Sequence, residues 1–381
     1  MKSYALLVFS TLLAVTAVSC SKEETTSNDS DLAGVNVAVG EQSSSYSKLF
    51  VLNEGKMNTN NASLDFFRFS DGNYVRNAFQ QMNPGQVLGL GDVGNDIQIY
   101  EDKLWLVINN SGLVEVVNPE DEKHMATVKV PTPRQIAFGD GYAYVTSWSG
   151  AAYGNGDRVG AVYKVSTRSY EVTDSLHVGF QPEGIAEYDG KLYVANSGGM
   201  KSDYSYDDRV SVIDVKSFEV EKEITVAKNI QSIVAENGSL WVSTLGDYYM
   251  VQSGIWQVDL ASGKVLPQSE ALASVRTSGK MFECDDVIYT FNNVYAADYS
   301  VEANELYMLD VKTGAVRTEK LDKSVQVAYG ICVNGDNGDI YVGDAADYVN
   351  PGKVHCFSKD LKLKWSAVAG VDPGHMVLWE K

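Results

Sequence analysis

The chain has little of what marks the commoner functional classes. Its 381 residues include only four cysteines and four histidines. No C-x-x-C, H-E-x-x-H, G-x-S-x-G or phosphate-loop pattern occurs, and none of His124, His177, His355 and His375 has a partner at metal-ligand spacing. Common zinc frameworks and enzymes with a linear signature therefore find no support. Lysine and arginine number 31 against 50 aspartates and glutamates, a net charge of −19. With no basic run, such a surface repels nucleic acid and anionic headgroups. The helical period is missing almost throughout. Long apolar runs are missing too, except for one at 5–18.

That run follows Lys2. At roughly fourteen residues it is shorter than the ~20 a membrane span needs, and it has the order of a secretory signal peptide. Ala17, Val18 and Ser19 precede Cys20. This resembles the lipobox of bacterial lipoproteins, with alanine where leucine is preferred. The resemblance implies cleavage before Cys20, acylation of its thiol and a lipid anchor; ordinary secretory cleavage nearby is the alternative. Lys22, Glu23 and Glu24 resemble the lysine-plus-acidic tag of surface-exposed Bacteroidetes lipoproteins, which implies an outer-membrane anchor facing outward. Three segments follow: a signal peptide at 1–19, a lipidated tether at 20–46 and a globular region at 47–381. Ser, Thr, Asn, Asp and Gly dominate the tether, so it is expected to be flexible and to span about 25–30 Å. Without Lys2 the mature chain holds 30 basic and 50 acidic residues, about −20. Cys284, Cys332 and Cys356 remain, an odd number without paired spacing, which points to buried free thiols rather than disulfides.

What the chain does have is a repeat. An apolar residue followed by an aromatic, usually then valine, recurs as LFV, LWLV, AYV, LYV, LWV, IYT and IYV. The aromatics, from Phe50 to Tyr341, are 55, 39, 49, 48, 48 and 52 residues apart. A short apolar run and a turn such as Asp189-Gly190 or Asn237-Gly238 often precede them, a hairpin signal. A variable loop, a third alternating run and a more polar fourth run follow. Four strands every 40–50 residues define an all-β, seven-bladed β-propeller. Pro373–Trp379 matches the first strand of a unit and LFVLN at 49–53 matches the second. The C-terminal strand is therefore expected to close the ring and remove an open edge.

Connections between second and third strands share one face, and most are long and aromatic: 54–61, 147–158, 197–209, 245–252, 293–300 and 344–351. Only 109–112 is short. Long loops on one face point to binding, and tyrosine among small polar residues gives rigid, amphipathic contact area. The candidate ligand-binding residues are Asn60, Trp148, Tyr153, Tyr204, Tyr206, Tyr248, Tyr249, Tyr295, Tyr299 and Tyr348, with Arg134, Arg158 and Arg209. The rings could instead pack the loops together, and the arginines could pair with Asp157 or Asp208. Asp203, Asp207 and Asp208 lack calcium-loop spacing and read as a solvated acidic loop. No metal site and no catalytic residue is expected, although a propeller enzyme can gather scattered acids and histidines at its channel mouth.

LFVLNEG at 49–55 with NNASL at 60–64, and YGI at 329–331 with DIYVGDAADY at 339–348, resemble the YncE-like propeller lipoproteins of gut Bacteroidetes, in particular the BtuG type. The resemblance runs from about residue 48 to 381. It implies capture of cobalamin or another corrinoid as a transported ligand, with no cofactor of its own, and hand-over to a BtuB-like TonB-dependent transporter. A surface propeller for glycan or protein partners is the alternative, and a propeller lyase or lactonase a third class.

Overall fold

Short alternating runs broken by Asp-Gly and Asn-Gly leave the backbone one economical solution, the antiparallel hairpin. In the computed structural model, which describes residues 35–36, 44–149, 158–199 and 201–381, Asp140-Gly141, Asp189-Gly190 and Asn237-Gly238 all have positive φ at both positions. That is the primed turn whose twist suits flanking strands.

Seven antiparallel sheets result. Six blades cover 94–129, 133–180, 182–225, 230–265, 282–320 and 328–368, named first to sixth here. The closing blade combines the strand Pro373–Glu380 with Tyr46–Asn53, Ser63–Arg68 and Asn73–Val75. Leu49 stands opposite Leu378 and Val51 opposite Met376, so the C-terminal strand closes the ring as its sequence suggests. A further two-residue strand, Val35–Asn36, pairs with Tyr74 and Asn73 at this blade's outer edge. It lies within the segment expected as a tether.

The repeat has a packing cause. Six of the seven second strands, all but Val287–Tyr295, are buried on both faces; the last four residues of Tyr142–Ser147 and of Ser239–Thr244 are all buried. Its aromatic enters the seam with the next blade. Seven apolar clusters result, one per seam. Phe50 packs with Leu104 and Leu106, Trp105 with Ile136 and Val145, Tyr144 with Leu192, Tyr193 with Leu240, Trp241 with Ile288, Tyr289 with Ile331 and Ile340, and Tyr341 with Leu49 and Phe67. Each fully buried side chain of this size contributes roughly 1.5–3 kcal/mol, so the seams are what the repeat encodes. Outer strands face water; Glu219–Thr225 buries only Ile224. The three described cysteines are free, Cys332 and Cys356 buried and Cys284 half-buried. Burial, with nearby carboxylates, pushes the Cys284 thiol up to about 11.

Two features depart from the sequence expectation. The strands of the fifth blade extend to Tyr295 and restart at Val301, so its loop is shorter than 293–300. The connections at 76–93 and 266–281 are long and each carries a one-turn helix, Ala78–Met82 and Glu270–Ser274. Both lie on the face of the second-to-third loops.

Candidate functional site

The inner strands begin at this loop face, and their first positions set the character of the central channel. The fourth residue of six inner strands is Ile97, Ile136, Ile185, Ile233, Ile331 and Met376; Met281, just before the strand Phe282–Cys284, completes the set. Seven apolar side chains therefore form a ring in the channel wall. The two positions nearer the loop face are polar and differ from blade to blade. They include Asn95, Asp96, Arg134, Gln135, Glu183, Gln231, Ser232, Lys280, Tyr329 and His375, around a cavity of about 410 Å³. A polar mouth over an apolar ring makes the channel a pocket with a chemically asymmetric wall.

Two charged networks organise the mouth. Glu54, from the closing-blade loop, accepts bonds from Lys280 Nζ at 3.1 Å, His375 Nε2 at 3.1 Å and Tyr329 OH at 2.8 Å. Lys280 also bonds the Gly374 carbonyl and lies 4.0 Å over the Tyr329 ring. Burial opposes ionisation of Glu54, but the Lys280 ammonium and the His375 and Tyr329 bonds outweigh it and hold its carboxyl well below the usual range. Burial, then Lys280, keeps His375 below an ordinary histidine. Burial and the Glu54 charge raise the Tyr329 phenol well above its usual value. Across the mouth, Glu183 holds Arg134 Nε at 2.8 Å and Trp148 Nε1 at 3.2 Å. Arg134 also donates to Asn95 Oδ1 and stacks 4.5 Å over Trp148. Burial nonetheless raises the carboxyls of Glu183 and Asp96. Gly374 is needed for close approach, since a Cβ there would come within 2.5 Å of Glu54 Oε1 and 2.9 Å of Lys280 Nζ.

Above the mouth, one device recurs on the third to sixth blades: an aspartate followed by a tyrosine with left-handed backbone. Tyr204, Tyr248, Tyr299 and Tyr348 have φ of 55°, 61°, 66° and 61°. The preceding carboxylates accept backbone N–H groups further on: Asp203 from Ser205, Asp247 from Tyr249, Met250 and Val251, Asp298 from Ser300, Asp347 from Val349 and Asn350. Left-handed backbone costs a bulky residue about 1–3 kcal/mol and concentrates at functional sites; the Asx turn compensates locally. The outcome is exposed rings, with Tyr204 at 76%, Tyr248 at 66% and Tyr299 at 87%. Asp372, on the same face, is almost fully buried, and its Oδ1 has no hydrogen-bond partner among the described residues. Burial, reinforced by the Glu54 charge, pushes this carboxyl up to about 6.

The structure distributes the sequence-predicted residues unevenly. Tyr248, Tyr295 and Tyr348 meet around a cleft of about 290 Å³ that shares Ser278, Lys280 and Tyr329 with the channel. Tyr206 lies 6.4 Å from Tyr248, ring to ring. Arg134 and Trp148 meet in the channel mouth. Tyr204, Tyr249 and Tyr299 stand out in solvent. Asn60 ties its loop to the 76–93 connection through the Leu88 carbonyl at 2.7 Å. Arg158 donates to the Ser149 carbonyl. Arg209 is held by Asp207 and Glu223, not by Asp208, and Asp207 is buried in that pair rather than solvated. Tyr153, Asp157 and Cys20 lie outside the described residues.

Glu54, Lys280, Tyr329, His375 and Asp372 were not singled out as site residues in the sequence. Aligning the inner strands on their apolar fourth position would have found Lys280 and Tyr329. The recurring Asp-Tyr dipeptide was equally visible. Among the described residues no group of three or more His, Cys, Asp or Glu side chains could hold a metal ion.

The hydrazine synthase of Kuenenia stuttgartiensis is similar in structure, with a TM-score of 0.59 at 16% identity over 74% of this chain and 88% of that one. A quinonprotein alcohol dehydrogenase-like protein of Bacteroides thetaiotaomicron follows at 0.55 and 14%, over 89% and 80%. Apo AztD of Citrobacter koseri gives 0.52 and 12%, over 87% and 97%. At these identities the likeness is one of fold. No curated protein matches the sequence. A family model described as a domain of unknown function, DUF5074, matches residues 48–350, and the chain belongs to that family.

Proposed function

We propose that the protein is a binding protein whose loop face captures a corrinoid and passes it to a TonB-dependent transporter of the BtuB type. The observation that carries this reading is the Asp-Tyr turn repeated on four consecutive blades, which holds tyrosines out around a polar channel mouth. Large, rigid, amphipathic side chains beside amides and a few charges suit a bulky ligand with apolar faces and peripheral amides. The likeness of LFVLNEG and DIYVGDAADY to the BtuG type supports the corrinoid as that ligand.

The chain's path supports display. Tyr46 pairs with Glu380 and Asn53 with Pro373, so the strand from the N-terminal side rises from the short-turn face toward the loop face. Ser44 and Ser45 are clasped there by Asp336. The chain from a lipid anchor at Cys20 would thus enter the propeller from the face opposite the long loops. Metabolic labelling with a palmitate analogue, lost in Cys20→Ala, tests the anchor.

The ionisable mouth favours one other reading, a lyase or lactonase. Glu54 argues against it, because three donors already occupy its oxygens. Titration of residues 44–381 with cyanocobalamin tests capture. Saturable one-to-one binding tighter than about 1 µM is expected. No binding would exclude the corrinoid, and a glycan array would then examine the alternative.

A further inference from the structure

The cleft above the fifth blade has a construction of its own. Tyr248 and Tyr348 come from loops of the fourth and sixth blades, Tyr295 ends the strand Val287–Tyr295 between them, and Phe291 of the same strand also lines the cleft. Tyr329 meets Tyr348 edge-on, with centroids 5.6 Å apart and planes at 83°. At about 290 Å³ it lies at the lower limit of small-molecule pockets, about 300–1,000 Å³. It therefore admits one ring system rather than a macrocycle. Two lining side chains carry buried polar atoms without a partner among the described residues, Ser278 Oγ and Asn293 Oδ1. The Asn293 amide nitrogen is meanwhile fixed to the Ala328 carbonyl at 3.1 Å, which orients its oxygen as an acceptor. Buried polar groups in folded proteins are nearly always satisfied, so these two ask for a ligand or water.

We infer that this cleft is a subsite for a planar heteroaromatic ring that carries both a hydrogen-bond donor and an acceptor. Aromatic walls on several sides stack a flat π-system, as tyrosines do for nucleobases. A purely aliphatic group would leave Asn293 and Ser278 unsatisfied. A sugar needs one open aromatic platform rather than a cleft walled by several rings. The inference does not rest on the corrinoid proposal: in cobalamin one benzimidazole nitrogen is glycosylated and the other ligates cobalt, so that base has no donor to offer Asn293 Oδ1, and the cleft is assigned to a ring with a free N–H.

Benzimidazole is the probe. Saturation-transfer NMR on residues 44–381 should detect binding at about 1–10 mM, the range for so small a ligand. Tyr295→Ala and Tyr348→Ala, at partly exposed positions, should each weaken it about tenfold with unchanged Tm. No binding, or binding indifferent to both substitutions, overturns the subsite. Titration with cyanocobalamin separates the two proposals. Binding of both benzimidazole and cyanocobalamin supports both. Corrinoid binding without benzimidazole binding removes the cleft and leaves the function. Benzimidazole binding without corrinoid binding does the reverse.

Discussion

Replacing Glu54 by glutamine probes how the mouth is held. The carboxylate anchors Lys280, His375 and Tyr329 at 3.1, 3.1 and 2.8 Å. Hydrogen bonds to a charged group contribute about 1.5–3 kcal/mol each, and removing one partner of a buried pair costs about 3–5 kcal/mol. Glutamine keeps one acceptor but no charge for Lys280. Because that lysine is 29% exposed, water offsets part of the loss, and about 2–3 kcal/mol remains. An unfolding entropy of about 2.1 cal/mol/K per residue makes 1 kcal/mol worth about 1.4 °C in a domain of this size, so Tm should fall about 3–4 °C at pH 7. The pH dependence follows from the sign of the shift. Glu54 is held below its ordinary value of 4.5, so its stabilisation is full above that pH and lost as pH falls through the depressed folded value. Calorimetry from pH 7 to pH 3 should show the two melting curves converging below about 4.5. An unchanged Tm, or a gap of constant size down to pH 3, would refute the network as drawn.

Gly374→Ala should cost a similar amount, because its Cβ would intrude on Glu54 and Lys280. The double variant with Glu54→Gln should melt well above the additive expectation, since both act on one pair. Asp372→Asn should raise Tm at pH 7. Its carboxyl titrates near 6, above the unfolded value, so the charged form costs stability at neutral pH; the gain should shrink by pH 5, where the wild-type group is protonated. Asp247→Ala removes the acceptor of three backbone N–H groups beneath Tyr248. It should weaken corrinoid binding in a titration and lower Tm by only about 1–3 °C, and equal affinity would show that the turn does not position the ring.

The propeller was legible because its determinants are local. Period-two runs, primed turns and one seam aromatic per unit each act within a dozen residues. The helices Ala78–Met82 and Glu270–Ser274 were not, because one turn is too short for a helical period; the second shows only its Ser269 cap. The tyrosine loops could be read, but their left-handed backbone depends on the preceding aspartates, which carried no weight as isolated acids. Glu54 and His375 stand 321 residues apart and meet only through ring closure. Arg209 had two adjacent acids to choose from. The structure selects Asp207, whose burial makes pairing obligatory.

The central claim is that the tyrosines around the cleft and mouth carry ligand binding. Isothermal titration of residues 44–381 with cyanocobalamin, wild type against a Tyr248→Ala, Tyr295→Ala, Tyr348→Ala variant of equal Tm, tests it directly. Binding tighter than about 1 µM in the wild type, weakened about 100-fold or more in the variant, is the predicted result. Equal affinity of the two proteins, or no binding by the wild type, would contradict it.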